Sequence, residues 1–188
     1  MTYEEKMNEI LEANMTEKGY KLWKAVKGIL PDIWDKPTSS TGKYHKKSNG
    51  RVPSIIEHTF EMIYAGIKLF RMFDIKKKSS DADTLLLGIA LHDSLKYGLD
   101  GNRKHTDNKH DRLAADMVKT NKYTFTKILT ENQFNMLEES IRYHSGRWSS
   151  DLNKETNFNT DNFHPQTFFI HILDMLSTAD VLKTDFKV

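Results

Sequence analysis

LLLGIALHDSLKYG, residues 85–98, runs from Leu85 to Leu91 without a polar side chain and then turns to His92-Asp93, with Lys96 three residues on. A run this apolar has no solvent face, so it predicts a central helix, over about 81–95. Ser-Ser-Asp-Ala-Asp-Thr, residues 79–84, supplies capping side chains for its start. The polar end poses the functional question, because an imidazole and a carboxylate carried on a buried helix need partners.

The periodicity on either side is helical as well. Met7, Ile10 and Leu11 predict a helix near 3–13, and Leu22, Trp23, Val26, Ile29 and Leu30 another near 17–30, stopped at Pro31. Ile55, Met62, Ala65 and Leu69 share a face over 54–72. A further helix starts near Asp107 with Leu113, Ala114, Met117 and Val118, and Thr130 with Gln133 forms a capping box for one ending near 144. Pro165 opens the last, facing a core with Phe168, Phe169, Ile172, Leu173 and Leu176. No stretch alternates with period two. The expected fold is therefore all-α, a compact bundle of about six to seven helices. The 188 residues fit one domain burying roughly 70% of the surface of the unfolded chain. We expect that domain to span 1–188, with 1–36 as an N-terminal helical extension. Two long segments, 31–53 and 145–164, carry no helical pattern, and loops of that length are usually functional or disordered.

Composition narrows the chemistry. The net charge of +2 comes from 28 basic and 26 acidic residues spread along the chain, which is no nucleic-acid footprint. With no cysteine, a metal can be held only by His, Asp and Glu. The N-terminal MTYEEKMNEI is acidic where a secretory signal is basic and then apolar, and no run approaches the ~20 apolar residues of a membrane span. A cytoplasmic protein without membrane contact is expected.

Several apolar stripes carry one polar side chain. His58 lies three residues after Ile55 and four before Met62. His110 leads the stripe Leu113, Ala114, Met117. Phe134, Leu137, Ile141 and His144 are spaced by three, four and three, so His144 ends a buried face. FFIHILDML, 168–176, places His171 and Asp174 inside an apolar run. A lone histidine on such a face is most often a satisfied core residue, and His105 and His164, in polar loop sequence, take that reading. Five helices with the same anomaly point instead to a shared site. Neutral imidazoles with carboxylates suit Mn, Fe, Ni, Co or Zn.

His58, then His92-Asp93, then a late Asp174 resembles the H…HD…D arrangement of the HD-domain metal-dependent phosphohydrolases, over roughly residues 37–180. The resemblance implies that His58, His92, Asp93 and Asp174 hold one divalent ion, with Asp180 the alternative to Asp174. His110 and the Tyr143-His144-Ser145-Gly146 turn resemble the additional histidines of members that bind a second ion, with Asp93 as the bridge. One or two ions are thus implied. His92-Asp93-Ser-Leu-Lys96-Tyr-Gly98 is similar to the HD-x-x-K-x-G form, in which the lysine contacts phosphate. Residues 37–59 and FFIHILDML are similar to the HD domain of 3′→5′ exoribonucleases. The spacing from His110 through His144 to the late Asp resembles small HD dinucleoside tetraphosphate hydrolases.

Together these readings imply hydrolysis of a phosphoester or phosphoanhydride bond, in a nucleotide or short phosphodiester, by a metal-activated water, with Asp93 and Lys96 at the catalytic centre. His45, Arg51 and Arg147 on the long loops are candidate substrate contacts, and Tyr44, Trp34 and Trp148 are candidate stacking partners for a base. The alternatives are a non-catalytic nucleotide-binding or regulatory HD module, a nuclease acting on single-stranded nucleic acid, and a nucleic-acid-binding protein using Lys43, Lys46, Lys47, Arg51 and Lys76 to Lys78. A small nucleotide-like substrate is favoured over a polymer, and oligomeric state is not readable.

Overall fold

The computed structural model of the protein describes residues 1–42, 49–153 and 156–179. Among them are eight α-helices and no strand: α1 (Tyr3–Asn14), α2 (Glu17–Lys27), α3 (Ile55–Lys68), α4 (Ser80–Leu91), α5 (His110–Thr120), α6 (Lys122–Thr126), α7 (Glu131–Arg142) and α8 (Pro165–Thr178). The expected all-α bundle is the observed one, with α6 as an additional short helix. Among the described residues no helix is long and apolar enough to cross a membrane.

Helix α4 is the axis of the bundle. Every residue from Ala82 to Leu91 is buried, and α2, α3, α7 and α8 all pack against it. Burying each of Leu85, Leu86, Leu87, Ile89 and Leu91 contributes about 1.5–3 kcal/mol relative to an exposed position. The helix begins where Ser79 Oγ accepts from the Ala82 amide at 3.1 Å and ends at Leu91, four residues before the expected limit. Beyond it the backbone tightens into successive three-residue turns, with amides of Ser94, Lys96 and Gly98 donating to carbonyls of Leu91, Asp93 and Leu95. His92 and Asp93 thus sit on the first turn past the helix, held by its apolar body.

The other helices start at the signals their sequences carry. Thr130 and Gln133 form the expected capping box of α7, and Ser54 Oγ caps α3 by accepting from Glu57 N. Pro165 occupies the first turn of α8, where His164 caps the helix by accepting from Gln166 N. His164 is therefore structural, and His105 is exposed.

The segment after α2 is not a loose loop at its base. Ile33 and Trp34 are buried, with Trp34 edge-on to Trp23 at 6.0 Å between centroids. Pro37 and Ser54 form an isolated antiparallel bridge, and the Thr38 amide donates to Pro53 O at 3.0 Å. This closure carries Thr38 and Ser39 to the wall of the cavity described next.

Candidate metal centre

The five polar anomalies meet. His58 on α3, His92 and Asp93 after α4, His110 opening α5, His144 after α7 and Asp174 on α8 converge on one point at the floor of a cavity of about 590 Å³. Asp93 is the hub. Its Oδ2 lies 3.5 Å from His92 Nε2 and 3.8 Å from His58 Nε2. Its Oδ1 lies 3.1 Å from His110 Nε2 and 3.7 Å from His144 Nε2. Asp174 Oδ1 approaches His58 Nε2 at 3.2 Å. Two donor groups result, His58-His92-Asp93 and Asp93-His110-His144, sharing one carboxylate.

The orientation of the rings follows from their outer nitrogens. His92, His110 and His144 direct Nδ1 at the carbonyl three residues back, Ile89 at 2.7 Å, Asp107 at 2.8 Å and Ile141 at 2.8 Å. A carbonyl only accepts, so Nδ1 carries a proton, and in the neutral ring Nε2 presents its lone pair inward. His58 Nδ1 lies 2.9 Å from Ser177 Oγ, which itself donates to Glu61 Oε2 at 3.3 Å. The hydroxyl is then an acceptor for His58, and the same tautomer follows. Nε2 atoms face each other at 3.2 Å in two pairs, His58 with His92 and His110 with His144. Lone pairs opposed at that distance repel unless a cation or proton lies between them.

The charge state of the centre is set by its burial. Burial pushes the His92 imidazole down to about 3 against the pull of Asp93, and it lowers His144 with help from His110. Burial alone would raise Asp93, yet Lys96, His92 and His110 outweigh it and hold the carboxyl well below the usual range. Neutral imidazoles around a fixed carboxylate are the protonation states metal ligation requires. Asp93 Oδ1 is buried and makes no hydrogen bond. Buried lone pairs and an unsatisfied carboxylate oxygen therefore fit a divalent transition cation, with ring N–H bonds fixing each ligand from outside.

The remaining candidates separate. Lys96 is nearly buried, pairs with Asp93 Oδ2 and lines the cavity. Arg51 is committed elsewhere: its guanidinium grips Glu57 through both nitrogens at 2.6 and 2.5 Å and does not line the cavity. Arg147 lies over the Trp148 ring at 4.4 Å, beside an adjoining cavity. Trp34 is in the core. His45, Tyr44, Lys43, Lys46, Lys47 and Asp180 lie outside the described residues. Sequence reasoning missed Ser177 and Glu61, which orient His58. Their signal was available, since Glu61 follows His58, and Ser177 follows Asp174, by three positions on one helix face.

The family model for the HD domain matches residues 55–179, which spans every side chain of this centre. No curated protein and no solved structure gives a significant match.

Proposed function

The chain belongs to the HD-domain superfamily of metal-dependent phosphohydrolases, and from that membership we propose that it cleaves a phosphoester or phosphoanhydride bond of a nucleotide or short phosphodiester. The observation that carries the proposal is the set of four imidazoles, each bonded outward through Nδ1, whose Nε2 atoms surround Asp93. His58, His92, Asp93 Oδ2 and Asp174 would hold one divalent ion, and His110, His144 and Asp93 Oδ1 a second. Such ions, when bound, lower the pKa of a water and neutralise charge developing on phosphate.

The protein's own groups do the rest. The carbonyls of Ile89, Asp107 and Ile141, with Ser177, fix the rings so that no reorientation is needed on binding. Lys96 presents its ammonium at the cavity wall as a point charge for a phosphate oxygen. The apolar packing of α4 beneath Asp93 excludes water from below and strengthens every charge interaction above it.

Metal analysis of the purified protein, coupled to hydrolysis assays on mono-, di- and triphosphates, dinucleoside polyphosphates, cyclic dinucleotides and short oligonucleotides, tests the reading. Metal-dependent turnover of at least one class is expected, and it should vanish in Asp93→Asn. Protein that takes up no Mn or Fe refutes it. Metal-independent binding of oligonucleotides, falling steeply with salt, would favour the nucleic-acid alternative.

A further inference from the structure

A second cavity, of about 460 Å³, adjoins the metal centre and shares Trp148 and His171 with it as a common wall. Its size falls in the range of about 300–1,000 Å³ typical of small-molecule sites. It is lined by described residues that follow α7 and by His171 of α8, and its character differs from that of the metal cavity. Trp148 is 58% exposed, and the Arg147 guanidinium stacks on its ring at 4.4 Å. No ion pair joins Arg147 to a described residue. Phe158, also in the lining, packs on Phe168 and edge-on to His171, with centroids at 4.5 and 5.0 Å. Asn153 and Asn157 add amide donors and acceptors to the lining.

The dividing wall is built rather than incidental. His171 Nδ1 donates to His144 O at 2.7 Å, which ties the wall to a residue of the metal centre. Gly146 has φ +60° and lies so close that an added Cβ would meet the His171 ring at 2.5–2.9 Å. Only glycine permits both that backbone and that contact.

We propose that this cavity is a nucleobase site: it takes the planar aromatic base of a nucleotide whose phosphate is held at the metal centre. Trp148, extended by Arg147, is the stacking face, and the asparagine amides meet the polar edges of the base. The inference rests on the metal-centre reading for the placement of the phosphate, and it makes Trp148 and Arg147 specificity residues.

The test uses two ligands that differ by an adenosine group, methylenediphosphonate and adenosine 5′-(α,β-methylene)diphosphate, titrated calorimetrically into the Mn²⁺-loaded full chain. The adenosine compound should bind tighter by about 5- to 150-fold, the range that base–aromatic stacking carries. Trp148→Ala should remove most of that advantage while leaving methylenediphosphonate affinity and Mn²⁺ content unchanged, and Trp148→Phe should restore it to within about threefold. Equal affinities in the unaltered protein, or an advantage that survives Trp148→Ala, overturns the base site and leaves the metal-centre reading standing. If neither ligand binds the loaded protein, the phosphate placement fails and the base site falls with it.

Discussion

Two buried aspartates flank the same helix and have opposite fates. Asp83, in the first turn of α4, accepts from the Thr16 amide at 2.8 Å and from the Thr16 hydroxyl. Its neighbour Gly19 lies so close that any Cβ there would strike the carboxylate. Asp93, just past the other end of α4, faces the Nε2 atoms of four imidazoles and leaves Oδ1 without a hydrogen bond. Burial raises Asp83 despite its threonine bonds, whereas Lys96, with His92 and His110, drives Asp93 down against its burial. A carboxylate satisfied by protein donors is structural. One ringed by imidazole nitrogens, with an oxygen left unbonded, has the surroundings of a cation ligand, and burial alone does not distinguish the two.

The largest effect should separate the pair by activity. Asp93→Asn is expected to reduce turnover by more than ~10³-fold, because both ions of the proposed centre would share that carboxylate, while Asp83→Asn should keep turnover within about threefold in protein that remains folded. Steady-state assays on whichever substrate the panel identifies decide this. Lys96→Gln should follow, with kcat/KM lower by about 10²-fold and metal content intact by elemental analysis. Loss of metal in that variant would instead make Lys96 a support for Asp93.

Stability measurements reverse the ranking. Asp83→Ala strands the Thr16 amide and hydroxyl and should cost about 1–3 kcal/mol by urea denaturation. Gly19→Ala sharpens the point, since helix propensity alone predicts a gain of about 1 kcal/mol and the Asp83 contact predicts a loss. A stabilised Gly19→Ala protein would mean that the carboxylate is free to move.

The pH dependence follows from the lowered imidazoles. The ordinary histidine value is about 6.5, and His92 in the folded chain is near 3, so between those limits the unfolded chain binds a proton that the native state refuses. Stability of the metal-free protein therefore falls as pH drops from 6.5 toward 3, with His144 acting in the same direction. A loss on the order of 2 kcal/mol between pH 7 and 4.5 is expected, smaller in His92→Asn. The raised Asp83 works in the opposite sense, since a folded carboxyl that holds its proton adds stability in acid. Arg51→Ala removes the half-exposed partner of a buried Glu57 and should cost about 1–3 kcal/mol without changing turnover.

Much of this was legible in the sequence because the bundle and the ligands follow one rule. A polar residue at helical spacing within an apolar stripe must point inward, and His58, His110, His144 and Asp174 all do. The end of α4 was not legible, since Leu95 continues the apolar pattern through a region where the backbone has already tightened into turns. Helix α6 escaped because its five residues, KYTFT, carry neither a cap nor a full period. Arg51 resembled a loop cation free for phosphate, and only the tertiary position of Glu57 claims it. The second cavity depends on Trp148 and Phe158 packing back against His171 of α8, a long-range contact with no periodic signal.

The most direct test is calorimetric titration of metal-free protein with Mn²⁺ at pH 7.5, in the unaltered chain and in Asp93→Asn. The two-group geometry predicts uptake of two ions per chain, reduced to one by His110→Ala and abolished by Asp93→Asn. Uptake that persists unchanged in Asp93→Asn, or no uptake by the unaltered chain, would contradict the assignment of Asp93 as the shared ligand.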